Sequence, residues 1–318
     1  NWAHLIDFRS HDESEYKGYR HVPAMKFKTA EEQTDSVSRA IEQILHGVHG
    51  LKRSDLRAIE WSINEITDNV INHSQSPVGG FLQLTNFTGA VKRIEFAVVD
   101  IGIGIPATMR TTNPNISDVE ALDQAIREGV TRDKSFGQGN GLFGSWRASE
   151  ISGGKFETYS LNASLLSSPK HGMRVRNQQI PYIGTVVITS IRYAEPIDIS
   201  EALRFSGKKH EPIDYVELNY ETDDEGNISV DLSKEPGGFG TRQAGQAVRR
   251  KLSNLAAIAG DQRIIVDFSE VSILSSSYAD EVFGKLFVHM GPIEFTKKFT
   301  FYNIEPVVKG LVDRAITQ

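Results

Sequence analysis

Two glycine loops constrain this chain more than any other feature. The first closes an apolar strand: residues 94–99 run Ile-Glu-Phe-Ala-Val-Val straight into Asp100-Ile101-Gly102-Ile103-Gly104. The second, Gly137-Gln138-Gly139-Asn140-Gly141-Leu142, leads into a helical stretch over 143–151. Glycines at these points let backbone approach a ligand closely. Ahead of a helix they also free several N–H groups to face an anion, with the helix dipole adding to the attraction. An acid at a strand end can accept a hydrogen bond from an exocyclic amine such as that of adenine. Taken singly, each loop also fits a plainer role. Asp100–Gly104 fits an ordinary strand-to-loop turn. A dinucleotide fingerprint can be read at Gly102, Gly104 and Ala107, and again at Gly139, Gly141 and Gly144. Pro106 does not exclude that fingerprint, because proline is tolerated at a first helical position. The lysine-bearing P-loop pattern is absent, which disfavours a Walker-type NTPase.

Ahead of the first loop lies an amphipathic helix, about 54–73, with Leu56, Ile59, Ile63, Ile66 and Val70 at helical spacing. Glu65, Asn69 and His73 recur every four residues beside that apolar stripe and so share one face. A carboxylate there can take a proton from water or a hydroxyl, and an amide oxygen one turn away suits Mg²⁺. Alone, the stripe equally fits the solvent face of the helix. Another helix is expected over 29–45, strands over 81–87, 94–99 and 182–193, and a further helix near 118–128. No internal repeat stands out. Beyond about residue 205 charge dominates up to Asp223-Asp224-Glu225-Gly226, after which strands and helices alternate: strands at 228–232, 264–268 and 299–303, helices at 242–257, 277–289 and from Pro306.

Composition narrows the setting. The 318 residues suffice for two domains with cores of their own. A net charge of −6 disfavours a chain that coats nucleic acid or anionic membrane. The absence of cysteine excludes disulfides, thiol catalysis and Cys-ligated zinc. No apolar run reaches bilayer length and residues 1–15 are too polar for a secretory leader, so a cytoplasmic setting is expected.

The order of the motifs decides between the readings of each. Glu65-x-x-x-Asn69 on a helix, Asp100-x-Gly102-x-Gly104, Gly137-x-Gly139-x-Gly141-Leu142 and Gly184-Thr185 on a strand together resemble the GHKL family, the Bergerat fold of gyrase-type ATPases, MutL and histidine kinases. The stretch Glu65-Ile-Thr-Asp-Asn69-Val-Ile-Asn-His73 is most similar to the anti-sigma-factor serine kinases. The resemblance covers about 20–195. It implies an ATP site in which Glu65 is the general base and Asn69 holds Mg²⁺ against the phosphates. Asp100 would take the adenine amine, with Thr185 in support. Gly102 and Gly104 would approach the nucleotide, Gly137, Gly139 and Gly141 would wrap the phosphates beside Leu142, and residues 105–136 would form a lid. His73 matches its position in the serine kinases. No phosphoacceptor-histidine helix precedes the domain, which disfavours a sensor kinase, and Lys208-Lys209 lies without the pattern of a transducer loop.

A second constellation follows the strand at 264–268: Ser275-Ser276-Ser277-Tyr278-Ala279-Asp280-Glu281, where Ser277 and Asp280 fit a capping pair. It resembles the STAS-type fold of anti-anti-sigma factors over about 228–318, in which a strand Asp, here Asp267, precedes a serine pair whose second member is phosphorylated. That implies Ser277, with Ser276 before it, as phosphoacceptor. Ser275 stands where those factors carry Asp, and Tyr278 where they carry Gly, which places the segment in a divergent STAS-like branch.

The expected class is therefore α/β (α+β). An N-terminal extension (1–20) precedes a GHKL α/β sandwich with a mixed sheet (21–200), a linker (201–227) and a smaller STAS-like α/β domain (228–318). Three functions stay open: Mg²⁺-dependent ATP hydrolysis or switching that regulates a partner through the STAS-like domain, a protein serine kinase acting on its own or a partner's STAS-like domain, and an ATP sensor without turnover. The expected partners are ATP and either a protein or a second copy. Membrane and nucleic acid are not expected.

Overall fold

A computed structural model describes residues 21–127, 129, 140–193, 198–210, 212, 214–220 and 226–317. Its contacts divide the chain into two compact units: residues through Gln43 with Ser54–Pro212, and Ile44–Arg53 with Ile213–Gln318. Among the described residues no helix is long and apolar enough to cross a membrane.

The first unit is built on a five-stranded sheet in the order β1 (His21–Phe27), β2 (Gly80–Phe87), β3 (Arg93–Asp100), β5 (Gly172–Arg192), β4 (Lys155–Ser168). Every pair is antiparallel. The mixed directions expected within this sheet thus occur between the two sheets of the chain instead, the second being parallel. The reason is topological: β3 and β4 run the same way, but β5 inserts between them and opposes both. Helices α1 (Ala30–Gly47) and α2 (Arg53–Asn69) bring Val37, Ile41, Leu56, Ile59, Ile63 and Ile66 into the core. Between β3 and β4 run α3 (Ile105–Arg110), α4 (Asp118–Ala125) and α5 (Gly141–Ile151). Strand β4 escapes sequence reading because its buried face carries Thr158 and Ser160 after Phe156, and Leu161, at φ 49, then breaks the alternation with a bulge.

The second unit holds a parallel sheet ordered β10 (Phe299–Tyr302), β9 (Ile264–Asp267), β8 (Ile228–Asp231). Helix α7 (Arg242–Ile258) forms the crossover from β8 to β9 and buries Ala244, Val248, Leu252 and Leu255 at helical spacing. The short helix α6 (Tyr215–Asn219) precedes β8. Strands β8 and β9 repeat one pattern, Ile-x-Val-Asp-x-Ser, in exact register, each Asp accepting the amide of the serine two residues on at 2.9 Å. Segment Ile44–Arg53 is tied into this unit. Asn254 donates to the carbonyls of Leu45 (2.8 Å) and Val48 (2.6 Å), and the buried Glu235 carboxylate meets His46 at 2.8 Å and Lys251 at 2.6 Å.

After β9, Ser275 rather than Ser277 caps the next helix, α8 (Ser276–Ala279): its backbone is extended and its hydroxyl accepts the Tyr278 amide at 3.0 Å. Ser277 lies inside the first turn, within 3.0 Å of the Ser275 hydroxyl. A π turn (Asp280–Gly284), α9 (Lys285–Met290), α10 (Pro292–Lys298) and, after β10, α11 (Pro306–Thr317) complete the unit. Glu281 is fully buried in the π turn and ion-paired with Arg242 (3.0 Å), Arg249 (3.3 Å) and Lys285. Burial alone would raise its carboxyl, and the surrounding cations hold it below the usual carboxylate range. Only the acid of this set is buried, its cations keeping a quarter to a half of their side chains exposed, so it is loss of the cations that would strand a buried charge. Arg242→Ala, at a half-exposed partner, is therefore expected to stay within about 1 kcal/mol in urea denaturation, because Arg249 and Lys285 still neutralise Glu281. Arg242→Ala combined with Arg249→Ala is expected to cost about 3 kcal/mol.

Candidate functional site

Helix α2 does not end as an α-helix. From Val70 to Ser74 it widens into a π turn, stopped by Gln75 in the left-handed region at φ 55. Single π turns inside α-helices recur at functional sites. The end of this turn docks the first glycine loop: Ser74 O accepts the Ile103 amide at 2.8 Å. A Cβ at Gly102 would fall 2.0 Å from that carbonyl, so only glycine fits there. Gly102 thus stands behind the site, and its own amide donates to Asp100 Oδ1 at 2.7 Å.

Asp100 owes its burial to strand parity. Alternate residues of β3 point to one face, and Ile94, Phe96, Val98 and Asp100 all take the buried one. Its register partner is Thr185. Burial pushes the Asp100 carboxyl up, and the amides of Gly102 and Thr185 pull it partway back. Tyr182 Oη donates to the Asp100 carbonyl at 3.0 Å. Gly104, at φ 80, has no room for a Cβ beside Ser160 Oγ, 2.7 Å away.

A cavity of about 360 Å³ opens over these groups. The α2 face supplies Glu65, Asn69 and His73, the strands supply Asp100 and Thr185, the first loop Gly104, and the start of α5 Gly141 and Leu142. Residues far apart in sequence are thereby brought to one space. Val98, Val187, Ile105 and Met109 make an apolar wall, and Asn72, Asn140 and Thr108 add polar groups. Gly137 and Gly139 lie outside the described residues, as does the lid segment at 128 and 130–136. The described part of that segment forms α3 and α4. Helix α4 opens on a Ser117–Glu120 capping box, and its Asp118 is held by Arg110 and by the Asn162 amide at 3.0 Å.

Glu65 faces the first turn of α5 so closely that a Cβ on Gly141 would lie 2.4 Å from its Oε2. One turn along, Gly144 gives the same clearance to the Trp61 ring. Two glycines three apart thus let α5 lie directly against α2. No described residue hydrogen-bonds the Glu65 carboxylate. Burial, and then the like charge of Asp68, raises it to about 7.

Sequence reading missed Trp61, Asp68, Phe205 and His210, all of which line the cavity. Trp61 was within reach, since the four-residue ladder of Glu65, Asn69 and His73 extends back to it. Phe205 and His210 were not. They come from the short strands β6 (Arg204–Phe205) and β7 (Lys208–Lys209) and the residue after them, a stretch without periodicity, and they pack on Trp61 at ring separations of 5.6 and 6.4 Å.

A carboxyl raised by burial favours folding in its neutral form. Glu65 is expected to titrate near pH 7 by NMR. Its contribution to stability is complete below about pH 4.5, the unfolded value, and is lost as pH rises through 7. Glu65→Gln should therefore match the wild type in thermal stability near pH 4.5 and exceed it by about 3 kcal/mol at pH 8.

Residues 244–309 match the family described as a STAS-like domain of unknown function (DUF4325). The match lies within the second unit and spans α7 to the start of α11. The C-terminal domain is thus STAS-like, on a parallel sheet with helical crossovers. No curated protein matches the chain.

Proposed function

We propose that the first unit binds ATP in this cavity with Mg²⁺, as a GHKL-type site, and that the protein hydrolyses ATP or switches with it to regulate a partner through the STAS-like domain. One observation carries this reading: Glu65, Asn69, His73, Asp100, Gly104, Gly141, Leu142 and Thr185, from four separate stretches of sequence, line a single cavity. The cavity has the polarity a nucleotide requires. A buried carboxylate sits at the end of an apolar wall, suited to the amine edge of a flat heterocycle, and polar side chains with the α5 start lie along α2.

Each residue then has a task. Asp100 accepts a hydrogen bond from the adenine amine, oriented by the Gly102 amide and supported by Thr185. Asn69 offers an amide oxygen to Mg²⁺, which binds through few protein ligands and takes its other oxygens from water and phosphate. Bound magnesium supplies charge neutralisation on the phosphates. Glu65, near pH 7 in its proton affinity, takes the proton of an attacking water. Gly141 leaves the α5 amides open toward an anion.

A protein serine kinase is the second reading, favoured by the exposure of Ser276 and the partial exposure of Ser277 in a STAS-like domain, while Ser275 is engaged as the cap. Glu65 would then accept the proton of a serine hydroxyl. STAS-like domains usually mediate protein interactions, which suits either reading.

Calorimetry with ATP and Mg²⁺ tests the site. Asp100→Asn is expected to weaken binding about tenfold to a hundredfold, through loss of a charge-assisted hydrogen bond. Wild-type affinity in that variant would remove the assignment. Glu65→Gln should keep ATP bound while phosphate release falls about a hundredfold or more. Because the base must be ionised, the rate is expected to rise with pH through about 7, and Asp68→Asn should move that midpoint to lower pH. Radiolabel from ATP on Ser276 or Ser277 in place of free phosphate would select the kinase.

A further inference from the structure

The outer half of the β4–β5 hairpin has no place in the proposed nucleotide chemistry. Strand β5 pairs with β3 only from Thr185 onward. From Gly172 to Gly184 its other edge faces no strand among the described residues, while its inner edge pairs with β4 over Gly172–Asn177 and again at Tyr182, with residues 178–181 bulged out between. The regular part of this arm, Gly172–Asn177, leaves open backbone donors and acceptors, the template on which another chain can add as a strand, whereas Pro181 in the bulge has no N–H to offer. The arm's side chains are almost all exposed, Ile180 at 82% and Ile183 at 73%. Ile101, also exposed, lies alongside, its Cα within 2.7 Å of where a Cβ on Gly184 would stand.

The charge of the arm is one-sided. From Thr158 to Tyr193 there is no Asp or Glu, where the chain's 41 acids in 318 residues would place about five. Lys170, Arg174 and Arg176 lie in this stretch, all exposed. Arg174 and Arg176 are two apart and so share one face of the strand. Cations on an edge strand can serve simply to repel other strands. That role does not account for bare isoleucines beside them, and nucleic-acid binding would call for stacking aromatics rather than aliphatic side chains.

We propose that this arm docks an extended, acidic segment of a partner protein, which adds as a strand along residues 173–177 and continues past the bulge at 178–181. Its carboxylates meet Arg174 and Arg176, and its aliphatic side chains cover Ile180 and Ile183. The proposal is independent of whether the cavity holds a nucleotide.

The test uses the full chain and two fluorescent peptides of about ten residues, long enough to run beside the arm at roughly 3.3 Å per residue. One alternates Glu or Asp with Val or Ile; the other carries Lys in place of the acids. The acidic peptide is expected to bind at least about tenfold more tightly, with an affinity that falls as salt rises. Arg174→Glu with Arg176→Glu, and separately Ile180→Asp with Ile183→Asp, should each weaken it about tenfold or more, with circular dichroism and melting unchanged because all four positions are exposed. No binding, equal binding of both peptides, or wild-type affinity in both double variants overturns the proposal. So does a single-stranded oligonucleotide that binds with the same arginine dependence while the acidic peptide does not. Self-association of the chain that the variants abolish, without peptide binding, would assign the arm to a second copy and overturn it equally.

Discussion

The Asp100 carboxylate sits on the buried face of β3, and the geometry of the first unit follows from keeping it there. Strand alternation sends it inward with Ile94, Phe96 and Val98. A buried carboxylate needs donors, and the chain supplies them by turning at once so that the Gly102 amide reaches back to it at 2.7 Å. That turn is possible only where Gly102 passes under Ser74 without a side chain. Ser74 is presented by the π turn that ends α2. Strand end, glycine loop and helix end thus hold one another, and the polar face of α2 is aimed at the same space as Asp100.

The opposite wall follows another steric rule. Gly141 and Gly144 on α5 leave clearance for the Glu65 carboxylate and the Trp61 ring, so the two helices meet at side-chain contact on α2 and bare backbone on α5. The contact shields Glu65 from water and raises its proton affinity into the neutral range. A glycine usually read as a phosphate contact therefore also sets the electrostatics of its neighbour. The buried carboxylate of the second unit has the opposite fate. Glu281 is as buried as any residue in the chain, yet three cations keep it ionised. Burial with a partner stabilises charge; burial without one suppresses it.

Much of this was legible beforehand because it rests on short-range rules. Helical spacing gave the core stripe and the Glu65–Asn69–His73 face, and the three strands and the helix α7 of the second unit lie where they are expected. The single helix expected over 277–289 is instead divided by the π turn at Asp280–Gly284, and α10 has no counterpart in the sequence reading. The illegible parts lacked a local signal. Strand β4 hides its buried face in hydroxyl side chains. The cap moved from Ser277 to Ser275 because three successive serines are equivalent until the backbone chooses which of them is extended. The repeat of β8 in β9 is only six residues long and becomes visible once the strands are in register.

By itself the sequence determined which residue types stand at strand ends, on one helix face and ahead of α5, because periods of two and near four are properties of the backbone alone. Tertiary structure alone decided that these faces share one cavity, that Phe205 and His210 join it, and that Ile44–Arg53 belongs with the second unit rather than with the rest of the first. It also decided which carboxyls burial pushes up and which neighbouring cations hold down. Proximity across the chain, and with it burial and the company of other charges, exists only once distant segments have packed.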